Sequence, residues 1–362
     1  MPTIADLFTQ KEVLDYTRDR TPKPMMGETL FPARKIQGLE FDYLQGGSSL
    51  PVAARVHAFD TEAEIGSREA TKGAAELALV KRKMQLKEKD IIALTNPRNS
   101  AEQQYLMQRV YNDLDNLVLS VRARHERMRM ELLATGKVTL DENNDKTVVD
   151  YKVPDDHKAT SNWASADVNP LDDILSWTDK MDSAPTRALT STKLLRLLMR
   201  NKNVLASIYG RDTGKVLTIA ELDQYMEANN LPVIRTYDAK YRTQDGQKYT
   251  KHRYWNEDAF AMFDDQLLGE TVYGPTAEEI KLTANPEFET GLVGNIFTTV
   301  YETSGDPVAT FEKAVATALP SFAAADDVFQ ATIATTVDGE ATQNKSVSQN
   351  VDHSDKAEPE EH

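Results

Sequence analysis

The chain has 362 residues, with 42 Lys and Arg against 57 Asp and Glu, a formal net charge of -15. A length of that order suggests about two domains or one elaborate one, and 40% hydrophobic residues are enough to bury a core. The acidic balance disfavours broad nucleic-acid binding, which needs a basic face to displace counterions from phosphates, and the absence of cysteine excludes disulfides, thiolate metal sites and cysteine nucleophiles. No apolar run approaches the roughly 20 residues that span a bilayer, so no membrane partner is expected. The N-terminus lacks the basic and apolar stretches of a secretory signal. Composition thus predicts a soluble, acidic protein of mixed α and β structure in the cell interior.

The first forty residues are punctuated by Pro22, Pro24 and Pro32, which disfavour long helices and central strands. The apolar clusters Ile4, Leu7, Phe8 and Met25, Met26, Leu30, Phe31 predict an arm docked on another surface. Residues 39–95 read as mostly extended. Val52, Ala54, Val56 and Ala58 alternate with Ala53, Arg55 and His57, and Met84 and Leu86 alternate with Lys83, Gln85 and Lys87, both with period two. The polar stretch Phe59 to Gly73 between them predicts a long hairpin tip without a core of its own. A helix of about 35 residues follows, on the order of 50 Å long. It opens on the capping-box pair Ser100 and Gln103, carries an apolar stripe at Leu106, Val110, Leu114, Leu117, Val121, Met128 and Leu132, and ends at Gly136. Residues 169–232 alternate helices with short extended pieces. Asn169-Pro170 starts one helix, Arg187–Thr190 is a strand, Thr192–Asn201 a leucine-rich helix, and Thr218 with Glu221 caps another through Met226. Val233, Ile234, Thr236 and Tyr237 read as a strand and Asp245-Gly246 as a turn. Ile296–Tyr301, Val308–Leu319 and Phe329, Ala331, Ile333 predict a β-rich return. After residue 337 apolar content collapses, and seven acids face Lys345 and Lys356, a composition that cannot offset its ordering entropy.

Motifs for chemistry fail on spacing. Gly210 and Gly214 bracket three residues where a phosphate loop needs four, and Val216 stands where Ser or Thr would hold magnesium. Asp141, Asn143 and Asp145 begin like a calcium loop, but Lys146 replaces its glycine and Lys152 its bidentate glutamate, so a polar turn between strands is expected. The histidines 57, 125, 157, 252, 353 and 362 show no metal-ligand spacing, and Asp155-Asp156-His157 lacks a nucleophile elbow. Trp163, Trp177 and Trp255 read as core or interface anchors. No catalytic residue, cofactor or metal site is therefore assigned, and the chain is not expected to be an enzyme. Two basic clusters remain, Lys81, Arg82, Lys83, Lys87 and Lys89 on the return strand of the hairpin, and Arg122, Arg124, Arg127 and Arg129 on the long helix. They are either solvated faces or contacts to the acidic surface of a neighbouring copy.

Several short motifs occur in register. They are Leu30-Phe31-Pro32, the stretch Ala58 to Ala63 (AFDTEA), Glu126 to Gly136 (ERMRMELLATG), Arg187 to Ser191 (RALTS), Thr271 to Gly274 (TVYG) and Leu319 to Phe322 (LPSF). Together, from about residue 30 to 335, they resemble the lambda-like major capsid protein E family of phages and prophages, with the Hong Kong 97-type α+β capsid fold. The acidic tail is not part of that common core.

The resemblance implies a structural head protein that self-assembles, as pentamers and hexamers, into an icosahedral shell around double-stranded DNA, bound without sequence specificity. It implies an N-terminal arm (1–38), an extended hairpin or E-loop with flanking strands (39–95), a peripheral domain with a spine helix (96–168), an axial domain (169–290), a β return into the peripheral domain (291–336) and an acidic flexible tail (337–362). Portal, scaffold and decoration proteins would be further partners, and the protein would reside in the virion after assembly in host cytoplasm. Expected inter-subunit contacts are Phe59, Asp60, Glu62, Glu64, Arg68, Lys72, Lys81, Arg82 and Lys83. Alternatives are an encapsulin-like compartment on the same fold or a soluble enzyme of unseen chemistry.

Overall fold

A computed structural model describes residues 23–45, 53–54, 56–57, 59, 71–86, 88–95, 98–142, 145–211, 214–282, 289–303 and 309–336. In chain order the elements begin with α1 (Met26–Leu30), β1 (Ala33–Lys35), β2 (Glu40–Gln45), β3 (Thr71–Glu76), β4 (Ala78–Leu86), α2 (Glu88–Thr95) and the long α3 (Ser100–Thr135). Next come β5 (Lys137–Glu142), β6 (Asp145–Asp150), β7 (Lys158–Asn162), α4 (Pro170–Thr178), β8 (Arg187–Thr190), α5 (Thr192–Arg200), α6 (Lys202–Tyr209), α7 (Ile219–Ala228) and β9 (Val233–Thr236). The hairpin β10 (Lys240–Asp245) and β11 (Lys248–Arg253) precedes β12 (Ala259–Phe263), β13 (Thr271–Gly274), α8 (Ala277–Leu282), β14 (Glu289–Val293), β15 (Ile296–Thr303), β16 (Ala309–Pro320) and β17 (Phe329–Ala334).

Two sheets organise these elements. In the first, β16 pairs antiparallel with β4 over Thr310–Ala318 on one edge, and its other edge is shared by β15 and β13. β14 extends the sheet beyond β15, and β1 lies parallel to β13, so the segment after Pro32 is built into it. The second sheet has the order β7-β17-β12-β8-β9. Its core packs Trp163, Trp177, Phe260 and Phe329 against leucines of α4 and α5. Trp163 and Trp177 stack with centroids 6.3 Å apart, and Trp255 is fully buried in the neighbouring core. All three tryptophans are core anchors.

The helix α3 lies on the first sheet. All seven residues of its expected apolar stripe are buried. Alternate residues of a strand face opposite sides, so Ala314, Ala316 and Ala318 of β16 point one way, and their small side chains admit Leu117, Val118 and Val121 of the helix. Gly136 ends α3 with φ +70°, and its N–H donates to the Leu132 carbonyl at 2.7 Å. That left-handed conformation favours glycine. The start differs from expectation by one residue. Asn99 caps the helix by accepting from the Glu102 N–H at 2.8 Å, and Glu102 accepts from the Arg98 N–H at 2.8 Å. The sequence holds two overlapping cap signals, and the Asn–Glu pair is the one used.

In the second layer, Asn169 with Pro170, Ser191, and Thr218 with Glu221 start α4, α5 and α7 as read from sequence. Gly210 closes α6, a helix the sequence reading missed. The hairpin of residues 39–95 is built differently from expectation. Its two strands are β2 and β3, in register from Glu40–Glu76 to Gln45–Thr71. Residues 53, 54, 56 and 57 carry no strand conformation, and Glu88–Thr95 is helical. Phe41 and Ala75 anchor the ribbon in the core, where Tyr43 packs against Tyr151 at 4.8 Å. Most of the tip, the first 22 residues and the stretch after Thr336 lie outside the described residues.

Candidate subunit-contact surfaces

Of the nine expected contact residues, five are described, namely Phe59, Lys72, Lys81, Arg82 and Lys83. Phe59 sits in a turn and is fully exposed. Asp60, Glu62, Glu64 and Arg68 lie outside the described residues. Lys72 is on β3 and pairs across the ribbon with Asp42 at 2.7 Å, both side chains being exposed. Lys81, Arg82 and Lys83 are on β4, which pairs with β16 rather than with the hairpin. The period-two pattern of β4 was legible, but its partner lies more than two hundred residues away in sequence.

The alternation of β4 splits its basic residues between two faces. Lys81 and Lys83 share one face, where the Lys83 Nζ lies 4.9 Å from the Phe311 ring centroid and Lys313 pairs with Glu278. Partial burial would raise the Glu278 carboxyl, yet Lys313 and Lys81 hold it below the ordinary range. On the opposite face the Arg82 Nη2 donates to Gln244 Oε1 at 2.7 Å, tying β4 to the β10–β11 hairpin. These residues are exposed but already engaged within the subunit.

Two of the four arginines expected on a solvated or inter-subunit face of α3 turn inward instead. Arg122 is 7% exposed and Arg129 1%. Arg122 grips Glu28 of α1 through Nε to Oε1 at 2.9 Å and Nη2 to Oε2 at 2.6 Å, and also donates to the Lys23 carbonyl at 3.0 Å. The fork geometry of a guanidinium suits such a two-point contact. One turn along, fully buried Glu126 accepts from the Gly27 N–H and the Tyr237 hydroxyl, each at 2.9 Å, and from Arg129 Nη1 at 3.3 Å. Arg129 Nε donates to Thr271 Oγ1 at 2.8 Å, and Thr271 in turn donates to the Phe31 carbonyl at 2.9 Å. Gly27 has no room for a side chain, since a Cβ there would lie 2.5 Å from Glu126 Oε2.

The electrostatics follow from this burial. Burial pushes the Glu28 carboxyl up, but the Arg122 hydrogen bond, the Met25 N–H and the charges of Arg122 and Arg129 bring it below the usual range. The Tyr237 hydroxyl is raised by burial and by the Glu126 carboxylate. His125, fully buried beside Tyr273, is pushed down to about 3 by burial and by the charges of Arg129 and Arg124. A charged lattice therefore locks residues 25–31 onto α3, and its geometry is that of a structural clamp. Among the described residues no cluster of three or more His, Asp or Glu side chains could hold a metal ion, and no helix is long and apolar enough to cross a membrane.

The sequence signal for the clamp exists in retrospect. Arg122, Glu126 and Arg129 recur at i, i+4 and i+7 beside the apolar stripe, and Met128, Met130, Leu132 and Leu133 surround that end of the helix. A helix that is apolar all round is enclosed, so charges embedded in it must find internal partners.

No curated protein matches the chain by sequence. Among solved structures, the putative capsid protein of a prophage from E. coli CFT073 superposes with a TM-score of 0.60 at 13% identity, covering 90% of this chain and 99% of that one. A phage-related protein from Bordetella bronchiseptica RB50 gives a TM-score of 0.49 at 12% identity over 88% and 94% of the two chains. A structure from Mycobacterium phage Adephagia gives 0.46 at 11% identity over 88% and 92%. The prophage match carries the fold, which is the Hong Kong 97-type capsid fold. The family model of phage major capsid protein E matches residues 9–333. Nearly the whole chain is thereby covered, and this protein belongs to the phage major capsid protein E family, whose members are structural subunits of capsid shells.

Proposed function

We propose that copies of this chain form pentamers and hexamers that close into an icosahedral head around double-stranded DNA, assembled in host cytoplasm with portal, scaffold and decoration proteins as partners. In this reading residues 1–38 are the arm, 39–95 carry the extended hairpin, 96–168 with the β return 291–336 form the peripheral domain around the spine helix α3, and 169–290 form the axial domain. Strands β7 and β17 share a sheet with β12, β8 and β9, and β13 shares one with β16 and β15, so the proposed intervals exchange strands between the two sheets. The ribbon β2–β3 is the observation that carries the proposal. Two strands alone are marginal in water; here, among the described side chains, Phe41, Tyr43 and Ala75 at the base are packed on the core, while Glu40, Asp42, Lys72, Ala74 and Glu76 are exposed. A ribbon so weakly supported by its own subunit suits completion by a neighbouring copy. The acidic net charge adds support, because an acidic container repels the DNA it must later release.

Negative-stain microscopy and sedimentation of the expressed full-length chain, alone and with the head-assembly proteins of its phage, test the reading. Rings or closed shells of uniform diameter are expected. A monodisperse monomer in both preparations overturns it.

A further inference from the structure

Strands β10 and β11 pair with each other and with no other strand among the described residues. All their residues are exposed except Tyr241 and Arg253, which are half-buried. Tyr241 packs on Tyr254 at 4.9 Å, Tyr254 stacks on Tyr237 at 6.1 Å, and Gln244 accepts from Arg82, so the hairpin is held at its base and near its tip. Residues 240–253 carry Lys240, Arg242, Lys248, Lys251 and Arg253 against Asp245 alone, in a chain of net charge -15. The strand register arranges these charges. Lys240 stands opposite Arg253 and Arg242 opposite Lys251, and alternate residues share a face, so four positive charges form a square on one side of the hairpin. Like charges directly opposite each other destabilise a strand pair, and two strands alone are already marginal. Arg253 is compensated by Asp238 and Glu257. Arg242 lies over the Tyr249 ring at 5.4 Å, which leaves its charge in place. Lys240 and Lys251 are exposed and have neither an ion pair nor a side-chain hydrogen bond among the described residues. An arrangement that costs the subunit stability and that nothing in the subunit relieves points to a partner outside it.

We propose that this face of the β10–β11 hairpin binds the phosphate backbone of double-stranded DNA. The choice of DNA as the polyanion rests on the head reading given above. Duplex DNA carries one phosphate charge per about 1.7 Å of its axis, so it meets the square in any register. A neighbouring copy would have to oppose the square with free carboxylates, and exposed ones such as Asp42, Asp155, Asp258 and Asp265 are already paired with bases of their own subunit. Lysine ammonium groups on flexible stems hold phosphate as point charges, so the contact positions DNA without reading its sequence. The acidic body of the subunit repels the same DNA. Attachment is therefore confined to the hairpin, weak and strongly salt-dependent.

The test is fluorescence anisotropy of a labelled duplex of about 30 base pairs, titrated with the unassembled full-length chain between roughly 50 and 200 mM salt. The native chain should bind with a log–log salt slope of about -3, from three uncompensated charges at about 0.9 each. Lys240→Gln with Lys251→Gln should weaken binding on the order of tenfold at the lowest salt and flatten the slope by about 2. Lys248→Gln, on the opposite face, should leave the slope unchanged. Lys251→Glu sets an acid opposite Arg242, so it should keep or raise the thermal midpoint while binding is lost; a purely structural role would move the two together. The proposal is overturned if the native chain does not bind the duplex at the lowest salt, or if the double variant keeps the native affinity and slope. An equal loss from Lys248→Gln also overturns it, as does a double variant that sheds self-association in sedimentation but still binds the duplex, which would assign the square to a neighbouring copy. Because binding is read on unassembled subunits, its failure leaves shell formation untouched, and a chain that binds the duplex but never forms shells counts against the head reading alone.

Discussion

Glu312 sits on β16 with the parity of Ala314, Ala316 and Ala318, so its carboxyl points under α3. It is 1% exposed, and neither carboxyl oxygen has a hydrogen-bond partner. Burial, with the Asp113 carboxylate adding and Arg109 opposing, pushes it up to about 8. An unfolded glutamate ionises near 4.5, so between those values the folded chain holds a proton that the unfolded chain has released. Stability is then lost as pH rises through that window, and the loss is complete above about 8. Glu312→Gln removes the titration. Its advantage over the native chain should be small at pH 5 and reach the order of a few kcal/mol at pH 8, measured as urea midpoints at the two pH values. Identical pH slopes for the two proteins would show that the carboxyl is solvated. His125 acts in the opposite direction. Its depressed value means that stability is lost as pH falls below the ordinary imidazole range, because the unfolded ring takes up a proton that the buried ring refuses. Together the two residues narrow the pH range of greatest stability from both sides.

At the scale of elements, α3 is the best-determined piece. Its 36 residues span about 54 Å, and its stripe meets three successive partners. Leu106 and Val110 pack with Leu86, Leu117 to Val121 with the alanines of β16, and Met128 to Leu133 with Phe31, Val272 and Leu319. Leu114 and Leu117 are 2% and 1% exposed, so Leu114→Ala and Leu117→Ala should each cost about 2–5 kcal/mol. Chemical denaturation checks this, and a loss below about 1 kcal/mol at both positions would mean a loose contact. The stripe was legible because spacings of three, four and seven recur over about seven turns, and the caps because each is a local pair of residues. The clamp was not, because Arg122 finds Glu28 at a sequence distance of 94 and four arginines on one helix look like a wet face. The strand pattern of β4 was equally legible, yet nothing within it distinguishes the neighbour β16 from a hairpin partner. The alternating residues described between Val52 and Ala58, namely 53, 54, 56 and 57, carry no strand conformation, for the related reason that β-propensity needs a paired surface to be realised. The expected contact residues Lys81, Arg82 and Lys83 were found on the strand assigned to them, but engaged within their own subunit, where sequence alone could not put them.

At the scale of the whole molecule, the two sheets, the clamp and the core clusters account for the stability of one subunit, and the hairpin tip contributes to none of them among the described residues. The tip between Gln45 and Thr71 contains Asp60, Glu62, Glu64, Arg68 and Glu69. Lys72 pairs with Asp42 at the ribbon's end, both side chains being exposed. An exposed ion pair is worth only about 0–1 kcal/mol, too little to matter to one folded chain. A shell repeats the contact at every local interface, and closure requires all of them together, so small pair energies accumulate in the assembly and not in the subunit. Replacing residues 60–70 by a short Gly-Ser linker should therefore leave the β2–β3 register, the core and the thermal midpoint of the unassembled subunit nearly unchanged. Closed particles should disappear from sedimentation profiles and micrographs of the same preparation, leaving free subunits or single capsomers. Normal shells from the replaced chain would remove the tip from assembly. A large fall in the subunit's own midpoint would instead make the tip part of the core, and the arithmetic of repeated weak contacts would no longer apply to it.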